Sequence, residues 1–435
     1  MHKMLRVAFH TFGCRANQYD TEMMKAQLDR EGISVASEEE KADVFVINTC
    51  AVTRRAENKA RQYIRHIAHT QDNPVVLITG CYADTSAQEV AATAGAHLVF
   101  GNSGKTQIYH MLQAALRGER GVLASSPNNN LDSEAITNDL EHTRAFVKIQ
   151  DGCDEFCTFC KTVYARGRPR DKSPEAIVSE VQTLVKNGYK EVVFTGINIA
   201  QYGEQSKTKL SSVLRQICEE TDIQRIRLSS INLSGITPDL IEFFATEPKA
   251  CPHFHIPLQS GDNAILERMN RKHTTEDFSS VVEQLKKEIP RMTLGTDLLV
   301  GFPGETDAQF ANTCDFVEKI GFSNVHQFRY SRRPGTAAAF FDDQIAPEIK
   351  QARARHLQRL VNSVSRKIKE KFIGETLQIL VEHARDLQSK PRGYSENYFD
   401  VQVETTQVLR RGSLVPITIT ASRKDYLIGQ PALPH

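Results

Sequence analysis

The run Cys153-Asp154-Glu155-Phe156-Cys157-Thr158-Phe159-Cys160 decides how the rest of the chain is read. Three thiolates spaced C-x3-C-x2-C wrap one corner of a cubane iron–sulfur cluster and leave one iron without a protein ligand; four cysteines would close the site. An open coordination position suits a centre that binds substrate. A zinc ribbon needs a second C-x2-C or a histidine pair, and none lies nearby. A zinc knuckle, or chance clustering, is the alternative reading.

Outward from this run the chain alternates strand and helix. Strand patterns at Phe146–Ile149, Glu191–Thr195, Arg225–Ser229, Phe254–Leu258, Met292–Val300 and Asn324–Phe328 are separated by helical patterns. The helices are expected at Pro174–Asn187, Leu210–Glu220, Pro238–Phe244, Thr275–Ile289 and Asp307–Ile320. About six units fall short of a complete barrel of eight, so the expectation is a partial (β/α)6 barrel with one open side. The cysteine run follows its first strand, and such barrels gather active sites at the C-terminal strand ends.

Upstream, strand patterns at Leu5–Phe9, Val44–Asn48, Val75–Thr79 and Leu98–Phe100 alternate with helical ones at Thr21–Glu31, Val52–His69, Ser86–Ala94 and Ile108–Arg117. That order predicts a doubly wound parallel sheet. Ala124–Asp139, with Pro127-Asn128-Asn129-Asn130 in its middle, reads as a linker. Downstream, Pro347–Lys371 reads as a charged helix, with eight Lys/Arg against two Glu from Glu348 on. Strand patterns at Thr376–Val381, Tyr398–Val403 and Val415–Thr420 then suggest a small β-barrel. The expected division is 1–120, 139–371 and 372–435.

Lys+Arg is 54 and Asp+Glu is 53 in 435 residues, so the chain is not basic throughout; local basic patches remain open. No apolar stretch is long enough to span a bilayer, and the start lacks the apolar core of a secretory signal. A reducing cytoplasm is therefore expected, where the nine cysteines serve as metal ligands, catalytic groups or buried thiols rather than disulfides.

Cys14, Cys50 and Cys81 each fall just past a predicted strand of the first sheet. The C-terminal edge of a parallel sheet is where such folds bind ligands. Thiolates 30-odd residues apart in sequence meet there in space, which makes a second three-cysteine metal site. A single cysteine there would be an ordinary buried side chain. Cys218, Cys251 and Cys314 match no such pattern, and the first and last of these lie in predicted helices.

The C-x3-C-x2-C run is the signature of radical S-adenosylmethionine (SAM) enzymes. Further stretches resemble the methylthiotransferases among them. These are His10–Glu22 around Cys14, Asn48-Thr49-Cys50-Ala51-Val52-Thr53, Thr79-Gly80-Cys81-Tyr82, Lys148–Cys153, Tyr164-Ala165-Arg166-Gly167-Arg168, His255–Gly261 and Gly301–Thr306. The resemblance spans essentially the whole chain. It implies an N-terminal cluster domain, a radical SAM barrel and a C-terminal TRAM domain that binds RNA. It also implies two 4Fe-4S clusters, on Cys14, Cys50 and Cys81 and on Cys153, Cys157 and Cys160. SAM would be methyl donor and, after one-electron cleavage at the open iron, source of a 5′-deoxyadenosyl radical.

Within the family, Asn17-Gln18-Tyr19, Lys148–Gly152 and Tyr330–Thr336 look like the class acting on threonylcarbamoyladenosine in tRNA. The implied reaction is methylthiolation at adenine C2 beside the anticodon. Alternatives are isopentenyl-adenosine, a ribosomal-protein aspartate, or a non-catalytic metal-stabilised RNA-binding protein. The implied partners are the tRNA anticodon stem-loop, a low-potential electron donor of flavodoxin or ferredoxin type, and a sulfur donor, with no membrane. Lys161-Thr162-Val163, Ala200 and Asn232-Leu233-Ser234 depart from the family pattern.

Weaker signals complete the candidate site. By resemblance Thr195 and Gly196 help hold the methionyl part of SAM. Gly301, Gly304 and Glu305 follow the fifth barrel strand, where glycines allow an adenine or ribose to approach; a plain helix entry is the alternative. Asp297 faces the barrel mouth or is a satisfied core group. Arg54, Arg55, Lys59, Arg61 and Arg65 follow Cys50, and Arg166, Arg168, Arg170 and Lys172 follow Cys160. Basic patches beside both cysteine sets favour a structured RNA.

Overall fold

A computed structural model describes residues 5–36, 41–125, 130–138, 142–383 and 390–432. Six parallel strands form the first sheet, in the order Ser34–Ala36, Arg6–Thr11, Val44–Thr49, Val75–Gly80, Leu98–Val99 and Gly121–Val122. Val44 and Val46 face one side and Phe45 and Ile47 the other, all buried, so helices cover both faces. Helices Arg15–Arg30 and Ile108–Leu116 lie on one side, Arg54–Thr70 on the other.

Two differences from the sequence reading bear on the site. The first helix starts at Arg15, six residues before the expected Thr21, and Cys14 is its N-cap. Its first turns carry Asn17 and Asp20, polar residues that suggest a loop but are fully buried here. The expected helix over Ser86–Ala94 is instead two short ones, Cys81–Thr85 and Ala87–Ala91. The short strands Ser34–Ala36 and Gly121–Val122 carried too few residues to be read.

Six parallel strands follow in chain order: Ala145–Lys148, Glu191–Thr195, Arg225–Leu228, His253–His255, Thr293–Val300 and Asn324–Arg329. They form two three-stranded sheets joined by the parallel bridges Ile226↔Ala250 and Ser230↔His255. The result is the expected partial barrel, open between its first and last strands. The first sheet covers that opening. Helix Arg15–Arg30 packs on Ala145–Lys148, and Arg333, just past the last strand, donates to the carbonyls of Ala51 and Val52.

The expected linker is not a free tether in its described part. Leu131 and Ile136 are buried, and Tyr19 donates to the Glu134 carbonyl at 2.8 Å. Pro127-Asn128-Asn129 lie outside the described residues.

After helix Pro347–Glu370, five strands close into a barrel: Thr376–His383, Arg392–Ser395, Asp400–Val403, Leu427–Pro431 and Leu414–Ser422 in spatial order. This small barrel plugs the floor of the large one. Arg227 donates to the carbonyls of Ser395 (3.0 Å) and Glu396 (2.9 Å), and Arg225 to that of Gln378 (3.1 Å). Glu191 neutralises both arginines, at 2.8 and 2.9 Å. Tyr398 sits among Arg227, Arg144 and His253, and its hydroxyl accepts from Arg15 at 2.5 Å. Burial pushes the Tyr398 phenol up, but Arg15, Arg144 and Arg227 outweigh it and leave the phenol below its ordinary value. Among the described residues no helix is long and apolar enough to cross a membrane.

Candidate active site

Parallel register brings the first cysteine set together. Thr11 pairs with Asn48, and Asn48 with Thr79, so the residues just beyond each strand reach one edge. There Cys14 and Cys81 lie within electrostatic reach of each other and of Cys50. Gly13, at φ +110°, is required: a Cβ would stand 2.9 Å from the Cys50 sulfur. Asn17 ties the edge together, donating to the carbonyls of Phe12 (2.8 Å) and Thr49 (3.0 Å). Arg166 donates from Nε to the Cys81 sulfur at 3.4 Å, and Asn102 lies 3.9 Å from it. Burial pushes the Cys50 thiol up to about 12.

Cys153, Cys157 and Cys160 form the second set, on one loop after the first barrel strand. They too are mutually within electrostatic reach. Asn198 approaches the Cys153 sulfur at 3.8 Å and Arg271 the Cys157 sulfur at 3.6 Å. The Thr162 amide donates to the Cys160 sulfur at 3.4 Å. Burial raises the Cys153 thiol to about 11. Three polar atoms by this loop are buried without a hydrogen-bond partner among the described residues: Asn198 Oδ1, Gln201 Oε1 and Arg271 Nε. Orphaned groups of this kind fit a polar cofactor. A cavity of about 310 Å³ lies beside Arg271, lined also by Glu155, Asn232 and His273 among others.

The remaining candidates divide. Thr195 is buried at the end of its strand, and a Cβ on Gly196 would stand 2.8 Å from both the Gln150 carbonyl oxygen and Ile199. Gly301 and Gly304 do not leave side-chain space for a ligand, because Lys350, and Asp343 with Arg268, fill it. Glu305 accepts from the Gly301 amide (2.9 Å) and from Arg353 (2.7 Å), so its carboxylate is committed to the turn. Only backbone groups of this turn remain for a cofactor. Asp297 lies on the inner wall of the barrel between His255 (3.1 Å) and His326 (3.4 Å). Burial raises its carboxyl, but the two imidazoles outweigh this and hold it well below the usual range. Among the described residues these three bring ligand atoms within 4.8 Å of one another.

Two of the four cations after Cys160 are not on the surface. Arg166 and Lys172 are buried: Arg166 pairs with Asp20 (2.9 Å) and Asp151 (3.2 Å), Lys172 with Glu180 (2.6 Å). Lys105 and Lys148 complete the network on Asp20, at 2.7 and 2.5 Å. These charges rivet the first sheet to the barrel. Arg54, Arg55, Lys59, Arg65 and Arg168 are exposed. So are three aromatic side chains: Phe156 on the cysteine loop, Tyr164 just after it, and Phe340 in the segment whose Ala338 amide donates to the loop's Thr158 carbonyl.

Sequence reasoning missed Arg271 entirely. It follows a short unpredicted helix, Asn263–Arg268, and no local spacing marks it. Asn198 and Asn102 were missed for the same reason: each meets its cysteine only through the fold.

Residues 6–101 match the model of an uncharacterized protein family, UPF0004, and residues 147–317 that of the radical SAM superfamily. The chain is 36% identical to the threonylcarbamoyladenosine tRNA methylthiotransferase MtaB of Bacillus subtilis, over 98% of this chain and 96% of the relative. The chain belongs to the radical SAM tRNA methylthiotransferases. MtaB of Aquifex aeolicus is 37% identical, over 95% of this chain and 100% of its own. A tRNA-2-methylthio-N(6)-dimethylallyladenosine synthase of Pelotomaculum thermopropionicum is 34% identical, over 96% of each. Among solved structures, the radical SAM methyltransferase TsrM of Kitasatospora setae superposes with a TM-score of 0.57 at 14% identity, covering 88% of this chain and 79% of its own. That likeness concerns the fold alone. As a methylthiotransferase, the chain is an enzyme of SAM and iron–sulfur chemistry.

Proposed function

We propose that this methylthiotransferase acts on threonylcarbamoyladenosine beside the tRNA anticodon and adds the methylthio group at C2. One 4Fe-4S cluster would be held by Cys153, Cys157 and Cys160, a second by Cys14, Cys50 and Cys81. The observation that carries this reading is the meeting of the two sets across one interface: the Arg333 guanidinium is within electrostatic reach of Cys160, Cys50 and Cys81 at once. The substrate rests on the curated relatives at 36–37% identity that are named for it.

When bound, SAM on the open iron supplies the one-electron chemistry that an unactivated aromatic C–H requires. The chain's own residues hold the parts. Asn198, Gln201 and Arg271 offer polar atoms toward the cofactor, and Thr195, Gly196 and Asp297 line the approach. The first sheet and the small barrel close the side and floor, which keeps water from the reacting centre. Exposed Phe156, Tyr164 and Phe340 offer stacking surfaces for a base splayed from its loop, and Arg54, Arg55, Lys59 and Arg65 offer phosphate contacts. The small barrel is read as a TRAM module, and the division as 1–120, 139–371 and 372–435. A low-potential flavodoxin or ferredoxin, a sulfur donor and a cytoplasmic setting complete the proposal.

The test is nucleoside mass spectrometry after anaerobic incubation of reconstituted protein with SAM and tRNA carrying both modified adenosines. The methylthio group is expected on threonylcarbamoyladenosine. Its appearance on isopentenyl-adenosine alone would overturn the substrate.

A further inference from the structure

The fourth, fifth and sixth strands of the large barrel bring three side chains of ligand type to one point. Paired residues of a parallel ladder point to the same face, and so do residues two apart on a strand. His255 pairs with Gly295, Asp297 follows Gly295 by two, and His326 pairs with Asp297. The three therefore share the inner face, while Leu294 and Leu298 on the other face pack into the apolar core. Gly295 makes the space, because a Cβ there would stand 2.8 Å from His255 Nδ1. Both imidazoles converge on one oxygen: His255 Nε2 is 3.1 Å and His326 Nδ1 3.4 Å from Asp297 Oδ1. Ligand atoms ~2.0–2.1 Å from a metal ion, at octahedral to tetrahedral angles, stand about 2.8–3.4 Å apart, so the spacing fits a shared cation.

The surroundings fit as well. The His255 and Asp297 side chains are 11% and 22% exposed, and His326, on the edge strand, is 53% exposed. Two ligands are thus held by the wall and the third comes from the open side, which leaves coordination positions toward the lumen. The Asn324 amide lies 3.3 Å from His326 Nε2. A ligating imidazole keeps such a partner on its second nitrogen, which fixes ring and tautomer. With Nδ1 on an ion, Nε2 carries the proton and the Asn324 amide, flipped end for end, accepts it. We propose that His255, Asp297 and His326 form a binding site for a divalent transition-metal ion of the zinc class, inside the barrel and apart from both cysteine sets. Imidazole and carboxylate together suit zinc and its neighbours, and imidazole does not suit magnesium. Three protein ligands with a position left open is the pattern of a reactive rather than a closed structural site. The site lies on the last three strands, whereas the loop set follows the first, and it stands whether the chain holds one iron–sulfur cluster or two.

The test is anaerobic equilibrium dialysis of the reconstituted full chain against zinc chloride, with zinc and iron measured on the same samples. Wild type is expected to take up a single zinc with its iron unchanged, and excess magnesium chloride should not displace it. Even a hydrogen-bond partner of a ligand is worth roughly 10–100-fold in metal affinity, so His326→Ala should weaken zinc binding by about 100-fold or more. Asp297→Asn keeps the shape and can still hydrogen-bond the imidazoles but loses the anionic donor; its zinc affinity should fall as far. Retained iron shows that a variant has folded, and where His326→Ala loses iron, Asp297→Asn decides. No zinc uptake by wild type overturns the proposal. Equal uptake by wild type and Asp297→Asn does so too, leaving a hydrogen-bonded triad. Zinc gained only as iron is lost would place the ion on the cysteines and overturn it equally.

Discussion

The two cysteine sets reach the same composition by opposite means. Cys153, Cys157 and Cys160 come from one loop, so local chain geometry alone sets their spacing. Cys14, Cys50 and Cys81 come from three strand ends, and only the register of the parallel sheet assembles them. The difference teaches where each set is vulnerable. The loop set depends on its own backbone and on Arg271 and Asn198. The sheet set depends on Gly13, Asn17 and the buried charges that fix the sheet to the barrel.

The sharpest way to break the comparison is to remove one thiol from each set. Cys157→Ala should reduce 5′-deoxyadenosine formation to background. Cys50→Ala should retain SAM cleavage yet yield no methylthio nucleoside. Chromatography of both products checks this, and equal loss of SAM cleavage with the other cluster intact would erase the division of labour.

Next in size is Arg166→Met. Arg166 contacts Cys81 from the barrel side and pairs with Asp20 and Asp151. Breaking such a buried pair should cost about 3–5 kcal/mol, seen as a lower unfolding midpoint. The sheet set should lose iron before the loop set does.

Tyr398→Phe tests the floor that both regions share. It removes only the hydroxyl that accepts from Arg15, next to Cys14. A hydrogen bond to a charged group is worth about 1.5–3 kcal/mol, so stability should fall by that much. A neutral result would leave the docking of the small barrel to Arg225 and Arg227 rather than to Arg15.

The smallest effect is a pH dependence on the loop side. Burial, aided by Arg271, holds His273 down at about 4. The unfolded chain protonates this imidazole near 6.5, so acid favours unfolding below that point. Going from about pH 7.5 to about pH 5.5, His273 should remove about 1 kcal/mol of stability. Denaturant curves of wild type and His273→Gln at the two values should differ by that amount.

The sequence made the loop set legible because its spacing is the chemistry. It made the alternating strand and helix series legible too, since strand Glu191–Thr195 and helices Leu210–Glu220 and Asp307–Ile320 appear with the expected bounds. Buried polar residues defeated it. Asn17 and Asp20 hid the start of the first helix, and Arg166 and Lys172 passed for an RNA-facing surface. Each is buried with partners remote in sequence, which no window along the chain contains. The neighbours of Gly301 and Glu305 were hidden likewise, because Lys350 and Arg353 reach them from a helix some fifty residues on.

The central claim is that two sets so differently encoded are equivalent metal sites. Iron analysis after anaerobic reconstitution tests it most directly. Two 4Fe-4S clusters predict about eight iron atoms per chain. The combined Cys14→Ala, Cys50→Ala, Cys81→Ala variant should hold about four and still cleave SAM. A wild-type chain with about four irons, unchanged in that variant, would contradict the account.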